Sequence, residues 1–175
     1  MKDAPKRKRL PTDTIRRIYD FAPLWVKCKE SGSIATASAD WNNRTCQCRC
    51  ESCGAIYQIP VAEEYARQFV DLPLWLKADF RGKVFWAVNA EHVDFLEEVI
   101  AATLREKVVS RGKRIRLAMA MPFNLPGWLL SAKNRPDLLR LIKRLRNTIP
   151  VEWRLRQLRG KVRFSPTVAE LKDDR

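Results

Sequence analysis

Cys46-Gln47-Cys48-Arg49-Cys50-Glu51-Ser52-Cys53-Gly54 places four of the chain's five cysteines within eight residues. Thiolates this close together hold a soft metal, run redox chemistry or close a disulfide knot. The frame Cys50-x-x-Cys53-Gly54 favours metal: a tight turn aims two sulfurs inward, and glycine takes the left-handed backbone that other residues resist. The fifth cysteine begins the same frame upstream, Cys28-Lys29-Glu30-Ser31-Gly32, with serine where the second sulfur would stand.

An odd cysteine count argues against a closed disulfide set. The N-terminus, Met1-Lys2-Asp3-Ala4-Pro5-Lys6-Arg7-Lys8-Arg9, carries no apolar run behind its basic residues, so no signal peptide is expected. No apolar stretch approaches the ~20 residues of a membrane span. The expected location is the cytosol, or the nucleus in a eukaryote, where thiols stay reduced. A thioredoxin-like use of Cys50 and Cys53 would need a βαβ context, whereas residues 54–60 read as a strand ending at Pro60.

Residues 28–54 resemble a zinc ribbon of the kind found in general transcription factors and small bacterial proteins. Such a ribbon has two knuckles, and Ser31 departs from the pattern because a hydroxyl is a poor zinc ligand. Another thiolate must then complete the tetrahedron. Alternate residues of a strand share a face, so Cys46, Cys48 and Cys50 are expected on one side. The expected ligands of one zinc ion per chain are therefore Cys28, Cys48, Cys50 and Cys53, with Cys46 in reserve. A degenerate, metal-free ribbon and an iron–sulfur cluster are the alternatives. Four thiolates leave no open position, which makes the site structural. The only histidine, His92, follows the cysteines and reads as a helix-surface or capping residue. A zinc deaminase would place His-x-Glu ahead of Pro-Cys-x-x-Cys, and that order is absent.

The formal net charge is +14, and it is uneven. Residues 105–163 hold seventeen Lys or Arg against three Asp or Glu, whereas residues 18–104 hold eight against twelve. A local basic surface suits a polyanion.

Along the chain, residues 1–11 read as a flexible basic arm, and Asp13 to about Phe21 as a helix capped by Thr12. Residues 24–27 form a strand entering Cys28. Residues 31–45 form a loop or hairpin turning near Trp41-Asn42-Asn43, and residues 55–59 a strand. Val61 to about Val70 reads as a helix with glutamates in its first turn. Residues 74–80 and 83–88 flank Arg81-Gly82 as a β-hairpin with Trp75 and Trp86 packed inside it. A helix from about Ala90 to Val109 follows, capped by Asn89. Asn134-Arg135-Pro136-Asp137 starts another, running to about Arg146 with Leu138, Leu139, Leu141, Ile142 and Leu145 inward. Residues 153–164 alternate apolar and basic residues and read as a strand with one face of arginines.

The fold class expected is α+β: an N-terminal zinc ribbon fused to a small domain of one β-hairpin and two or three helices. The boundaries expected are an arm (1–11), helix plus ribbon (12–60), a basic α+β domain (61–164) and a polar tail (165–175). The stretch from the hairpin to the Ala132-Lys133-Asn134-Arg135 helix start also resembles small bacterial zinc-ribbon proteins of unknown function, a likeness that implies no activity.

These features point to a non-catalytic, zinc-stabilised protein that binds DNA or RNA through phosphate contacts. The candidate contacts are Lys6, Arg7, Lys8 and Arg9 on the arm, and Arg140, Lys143, Arg144, Arg146, Arg154, Arg156, Arg159, Lys161 and Arg163. Trp41 and Trp153 are candidate stacking rings. The alternative is a protein-interaction subunit of a larger nucleoprotein complex. A magnesium-dependent nuclease built on Asp79, Glu91 and Asp94 ranks below both, because those carboxylates sit where a turn and a helix start want them. The leucines of the basic helix read as core, so no membrane-surface role is expected.

Overall fold

A computed structural model of the chain describes residues 21–40, 42–63, 69–102 and 125–156. Its architecture is α+β. Four strands, β1 (Leu24–Lys27), β2 (Ile34–Asp40), β3 (Thr45–Arg49) and β4 (Ile56–Pro60), form an antiparallel meander in the order β1-β2-β3-β4. Strands β5 (Leu76–Phe80) and β6 (Lys83–Ala87) form a separate hairpin. Helices α1 (Ala90–Ala101), α2 (Gly127–Leu130) and α3 (Arg135–Asn147) follow.

Strand alternation decides what the meander buries. In β3, Cys46 and Cys48 face inward while Gln47 and Arg49 face water. Cys48 lies opposite Ala37 of β2 and Tyr57 of β4, and Cys46 opposite Ala39 and Ile59. The stretch read as a loop or hairpin between residues 31 and 45 is the β2–β3 hairpin. Arg44 closes its turn with φ of 53°.

The β5–β6 turn follows its residues. Arg81 and Gly82 take φ of 54° and 73°, as a two-residue turn matched to strand twist requires. Asp79 Oδ1 accepts the Gly82 N–H at 3.3 Å. The Arg81 guanidinium leaves this tip to pair with Asp137 and donate to Asn134 Oδ1 at 3.0 Å, pinning the hairpin to the start of α3.

β1 ties the meander to the rest. On one flank it pairs with β2. On the other, Lys27 N–H donates to the Pro73 carbonyl, Trp75 N–H to the Trp25 carbonyl and Trp25 N–H to the Val88 carbonyl, at 2.7–2.9 Å. The buried residues form one contiguous cluster from Phe21 to Ile149.

Asn89 caps α1 as its sequence position predicts: its side-chain oxygen accepts the His92 N–H at 2.9 Å. Its amide also donates to the Phe21 and Pro23 carbonyls, joining α1 to the chain before β1. The helix ends earlier than expected. Ala102 is extended, and Arg135 of α3 donates to the Ile100 and Ala102 carbonyls, so a neighbouring side chain satisfies the helix end.

Three other expectations are corrected. His92 is buried, not on the helix surface: it stacks on Phe21 at 4.8 Å and meets Trp86 and Phe95 edge-on or tilted. Residues 61–63 are not helical, because Val61 N–H closes on the Arg44 carbonyl beyond the end of β4; residues 64–68 lie outside the described set. Residues 151–156 are helical rather than extended, beginning with the Trp153 and Arg154 N–H groups on the Pro150 carbonyl. The helix expected over 13–21 falls almost wholly outside the described residues. Helix α3 buries Leu138, Leu141, Ile142 and Leu145 as expected, with Leu139 half-buried.

Candidate metal centre and basic groove

The turns β1–β2 and β3–β4 have the same backbone. In the first, Gly32 N–H donates to the Cys28 carbonyl at 2.9 Å and Cys28 N–H to the Ser33 carbonyl at 2.8 Å. In the second, Gly54 N–H donates to the Cys50 carbonyl and Cys50 N–H to the Ala55 carbonyl, both at 2.9 Å. Gly32 and Gly54 take φ of 68° and 74°, the left-handed conformation each turn needs. Because β1 and β2 lie beside β3 and β4 in one meander, both turns sit at the same end of the sheet.

The sulfurs of Cys28, Cys50 and Cys53 consequently lie within 4.8 Å of one another and could hold a metal ion. Among the described residues this is the one such group of His, Cys, Asp or Glu side chains. Cys28 Sγ and Cys53 Sγ stand 3.7 Å apart, too far for a disulfide, whose sulfurs lie ~2.05 Å apart. Tetrahedral zinc with ~2.3 Å bonds to sulfur has a sulfur–sulfur edge of about 3.8 Å, so the separation suits two ligands of one ion.

Cys48 does not join this group, and neither does Cys46. The strand argument put Cys46, Cys48 and Cys50 on one side, but β3 ends at Arg49 and Cys50 belongs to the turn. Cys48 stays inside the sheet, where its thiol donates to the Cys46 carbonyl at 3.7 Å. The side chain that stands in the turn at the position matching Cys53 is Ser31, whose Oγ lies 3.4 Å from Cys50 Sγ.

The thiols also differ in acidity. The Ser31 hydroxyl and the Ser31 and Glu30 N–H groups lower Cys28 to about 6, and Ser31 lowers Cys50. For Cys53 the Ala55 N–H favours the thiolate, but burial and the neighbouring sulfurs outweigh it and the net direction is upward. Burial raises Cys46 to about 11 and also raises Cys48. Two of the turn thiols, Cys28 and Cys50, are thus suited by acidity to become ligands, and the strand thiols behave as core side chains.

The basic residues divide in three. Lys6, Arg7, Lys8, Arg9, Arg159, Lys161 and Arg163, with Trp41, lie outside the described residues. A second set is engaged within the fold. Arg146 bridges α3 to Asp94 and Glu97 of α1 at 2.7 Å each. Arg154 donates to the Ile149 and Arg146 carbonyls at 2.9 Å. Arg156 pairs with Glu51 in the second turn and lies over the Trp153 ring, which itself packs edge-on against Trp25. The third set faces an open groove of ≈ 560 Å³ beside α3, lined by Phe80, Asp137, Arg140, Lys143, Arg144 and Asn147. Arg140 pairs with Asp137 at its edge, while Lys143 and Arg144 are exposed.

Sequence reasoning missed the internal role of Arg146, since Asp94 and Glu97 lie some fifty residues away. Two of the three carboxylates considered for magnesium have structural partners: Asp94 holds Arg146, and Asp79 holds the hairpin turn. No helix among the described residues is long and apolar enough to cross a membrane. No protein-family model, curated protein or solved structure matches the chain.

Proposed function

We propose that this chain is a non-catalytic nucleic-acid-binding protein whose four-stranded sheet is a zinc ribbon. The observation that carries the reading is the meeting of Cys28, Cys50 and Cys53 at the ends of two matching turns. Three soft donors, two of them depressed thiols, suit zinc. When bound, the ion would fasten the two hairpins and contribute directly to folding. Reduced thiols also fit the expected cytosolic or nuclear setting.

The groove beside α3 supplies the contact surface. Arg140, Lys143 and Arg144 lie at i, i+3 and i+4 on one helix, a row that can follow phosphates. Phe80 forms part of the lining, but it is buried and stacks on Trp128 at 5.6 Å, so the groove reads charge rather than unpaired bases. This favours backbone contacts over sequence readout.

Metal analysis of purified protein, joined to anisotropy titrations of labelled single- and double-stranded DNA and RNA across salt, tests both halves. The expected result is about one zinc per chain and, on duplex DNA, a log–log salt slope near −0.9 for each neutralised phosphate. Salt-independent or absent binding to every polymer overturns the nucleic-acid half.

A second reading, a protein-interaction subunit, has one observation in its favour. Val151 and Leu155 are 64% and 49% exposed at i and i+4 of the helical segment 151–156. Under that reading, Val151→Ser with Leu155→Ser abolishes partner capture and leaves polynucleotide affinity unchanged.

A further inference from the structure

The metal reading leaves the fourth donor open, and the strand thiols do not supply it. We infer that Ser31 Oγ is that donor, so the centre is a three-sulfur, one-oxygen site whose oxygen corner exchanges with external ligands. This inference rests on the proposed metal site and goes further, since it names the fourth ligand and the chemical class that can replace it.

Three independent observations carry it. The first is register. Each turn runs from a cysteine to a glycine four residues on, with the same pair of backbone hydrogen bonds, and Ser31 occupies in the first turn the place Cys53 holds in the second. The second is distance. Bonds of ~2.3 Å to sulfur and ~2.1 Å to oxygen give a tetrahedral sulfur–oxygen edge of about 3.6 Å. Ser31 Oγ stands 3.4 Å from Cys50 Sγ, and Cys28 Sγ stands 3.7 Å from Cys53 Sγ. These two contacts share no atom, which is the relation between opposite edges of one four-cornered figure. The third is restraint: Ser33 N–H donates to Ser31 Oγ at 3.3 Å, fixing the hydroxyl within the turn beside Cys50.

The competing donor, Cys48, lies outside the three-sulfur group. Cys48 is fully buried, lies in the interior of β3 and points its thiol at a carbonyl of its own strand. Its register places it between Ala37 and Tyr57 on the buried face of the sheet.

Exchange follows from the ligand types. A neutral hydroxyl is a hard, weak donor to zinc, and thiolates are strong ones. Ser31 and Cys53 are both exposed, so the weak corner faces water. An external thiol is the ligand class suited to take it: its sulfur would bond the metal, Ser31 would leave as a neutral hydroxyl, and the thiol proton would pass to solvent.

Cobalt(II) substitution in the full chain reads the donors directly, because sulfur-to-cobalt charge-transfer intensity scales with the number of thiolates. The wild type is expected to show three-thiolate intensity. Ser31→Cys should raise it by about a third, the ratio of four sulfurs to three. Cys48→Ser should leave it unchanged, and 2-mercaptoethanol should add the missing third to the wild type but nothing to Ser31→Cys. Four-thiolate intensity in the wild type that drops in Cys48→Ser overturns the assignment of Ser31 while the metal site stands. A wild type indifferent to 2-mercaptoethanol overturns the exchange. If neither the wild type nor Ser31→Cys takes cobalt, the metal site itself falls.

Discussion

Around Cys28 and Cys50 the sheet ends in short, polar, solvent-facing turns; around His92 and Leu138 the hairpin and helices close on aromatic rings and leucines. The turns bury few side chains beyond Cys28 and Cys50, so their order rests on backbone hydrogen bonds and, on the zinc reading, on the metal. The second region closes mainly by burial, with ion pairs such as Arg146 to Asp94 and Glu97 across its surface. One chain thus uses two kinds of cohesion, joined through β1, whose flanks touch both. Stability should therefore depend on different conditions at the two ends. The turn end should answer to metal and thiol chemistry, and the helical end to volume and proton uptake.

Removing the metal should have the largest effect. On the zinc reading, chelation or Cys50→Ser should cost several kcal/mol, since structural zinc binding is itself folding energy. Amide exchange should then lose protection in β1–β4 while α1 and α3 retain theirs. Equal loss in α3 would erase the distinction between the two ends.

Next in size is the opposite perturbation. Ile142 is fully buried, and Ile142→Ala should cost about 2–5 kcal/mol through lost transfer energy and a cavity. Zinc affinity measured by competition should be unchanged. A weakened site would mean that the two ends are one cooperative unit in metal binding as well as in packing.

Acid should probe the helical end through His92. Burial lowers His92 to about 3 from its ordinary 6.5, and its Nε2 has no hydrogen-bond partner among the described residues. A folded value below the unfolded one means the neutral ring supports the fold fully above about 6.5, and that support is lost as pH falls toward 3. The loss from this group is at most about 1.4 kcal/mol for each pH unit. His92→Phe gives up the acceptor for the Val88 N–H but should flatten this limb of a thermal-stability profile. An unchanged slope would remove His92 as its cause.

Smaller still is Asn89→Ala, which deletes the α1 cap and two donations to the chain before β1. A loss of about 1–2 kcal/mol in denaturant is expected. The smallest effect on stability belongs to Lys143→Ala. As an exposed groove residue it should shift stability by less than ~0.5 kcal/mol. In the nucleic-acid reading it should flatten the salt slope by about 0.9 on duplex DNA. A full slope in this variant would move the contact surface away from α3.

Much of the fold was legible because it is local. The hairpin around Arg81-Gly82, the Asn89 cap, the inward face of α3 and the two cysteine turns follow from neighbours a few residues apart. The site was legible in part. Cys28, Cys50 and Cys53 could be named from spacing, but Cys48 was carried along by extending strand alternation one residue beyond the point where β3 stops. Ser31 was visible as a departure from the ribbon pattern, and its position was already the counterpart of Cys53 in the repeated turn. Arg146 could not be assigned from sequence, because its exposure depends on which helix lies across from it.

What the chain's residues determined by themselves were the turns, periodicities and charge imbalance, since glycine conformation, side-chain alternation and formal charge act over short range. Tertiary structure alone decided which sulfurs meet, that the lone histidine is sealed among rings, and which arginines stay open to a ligand. Those outcomes depend on elements distant in sequence coming within a few ångströms, where burial and ion pairing are settled by the neighbour that arrives.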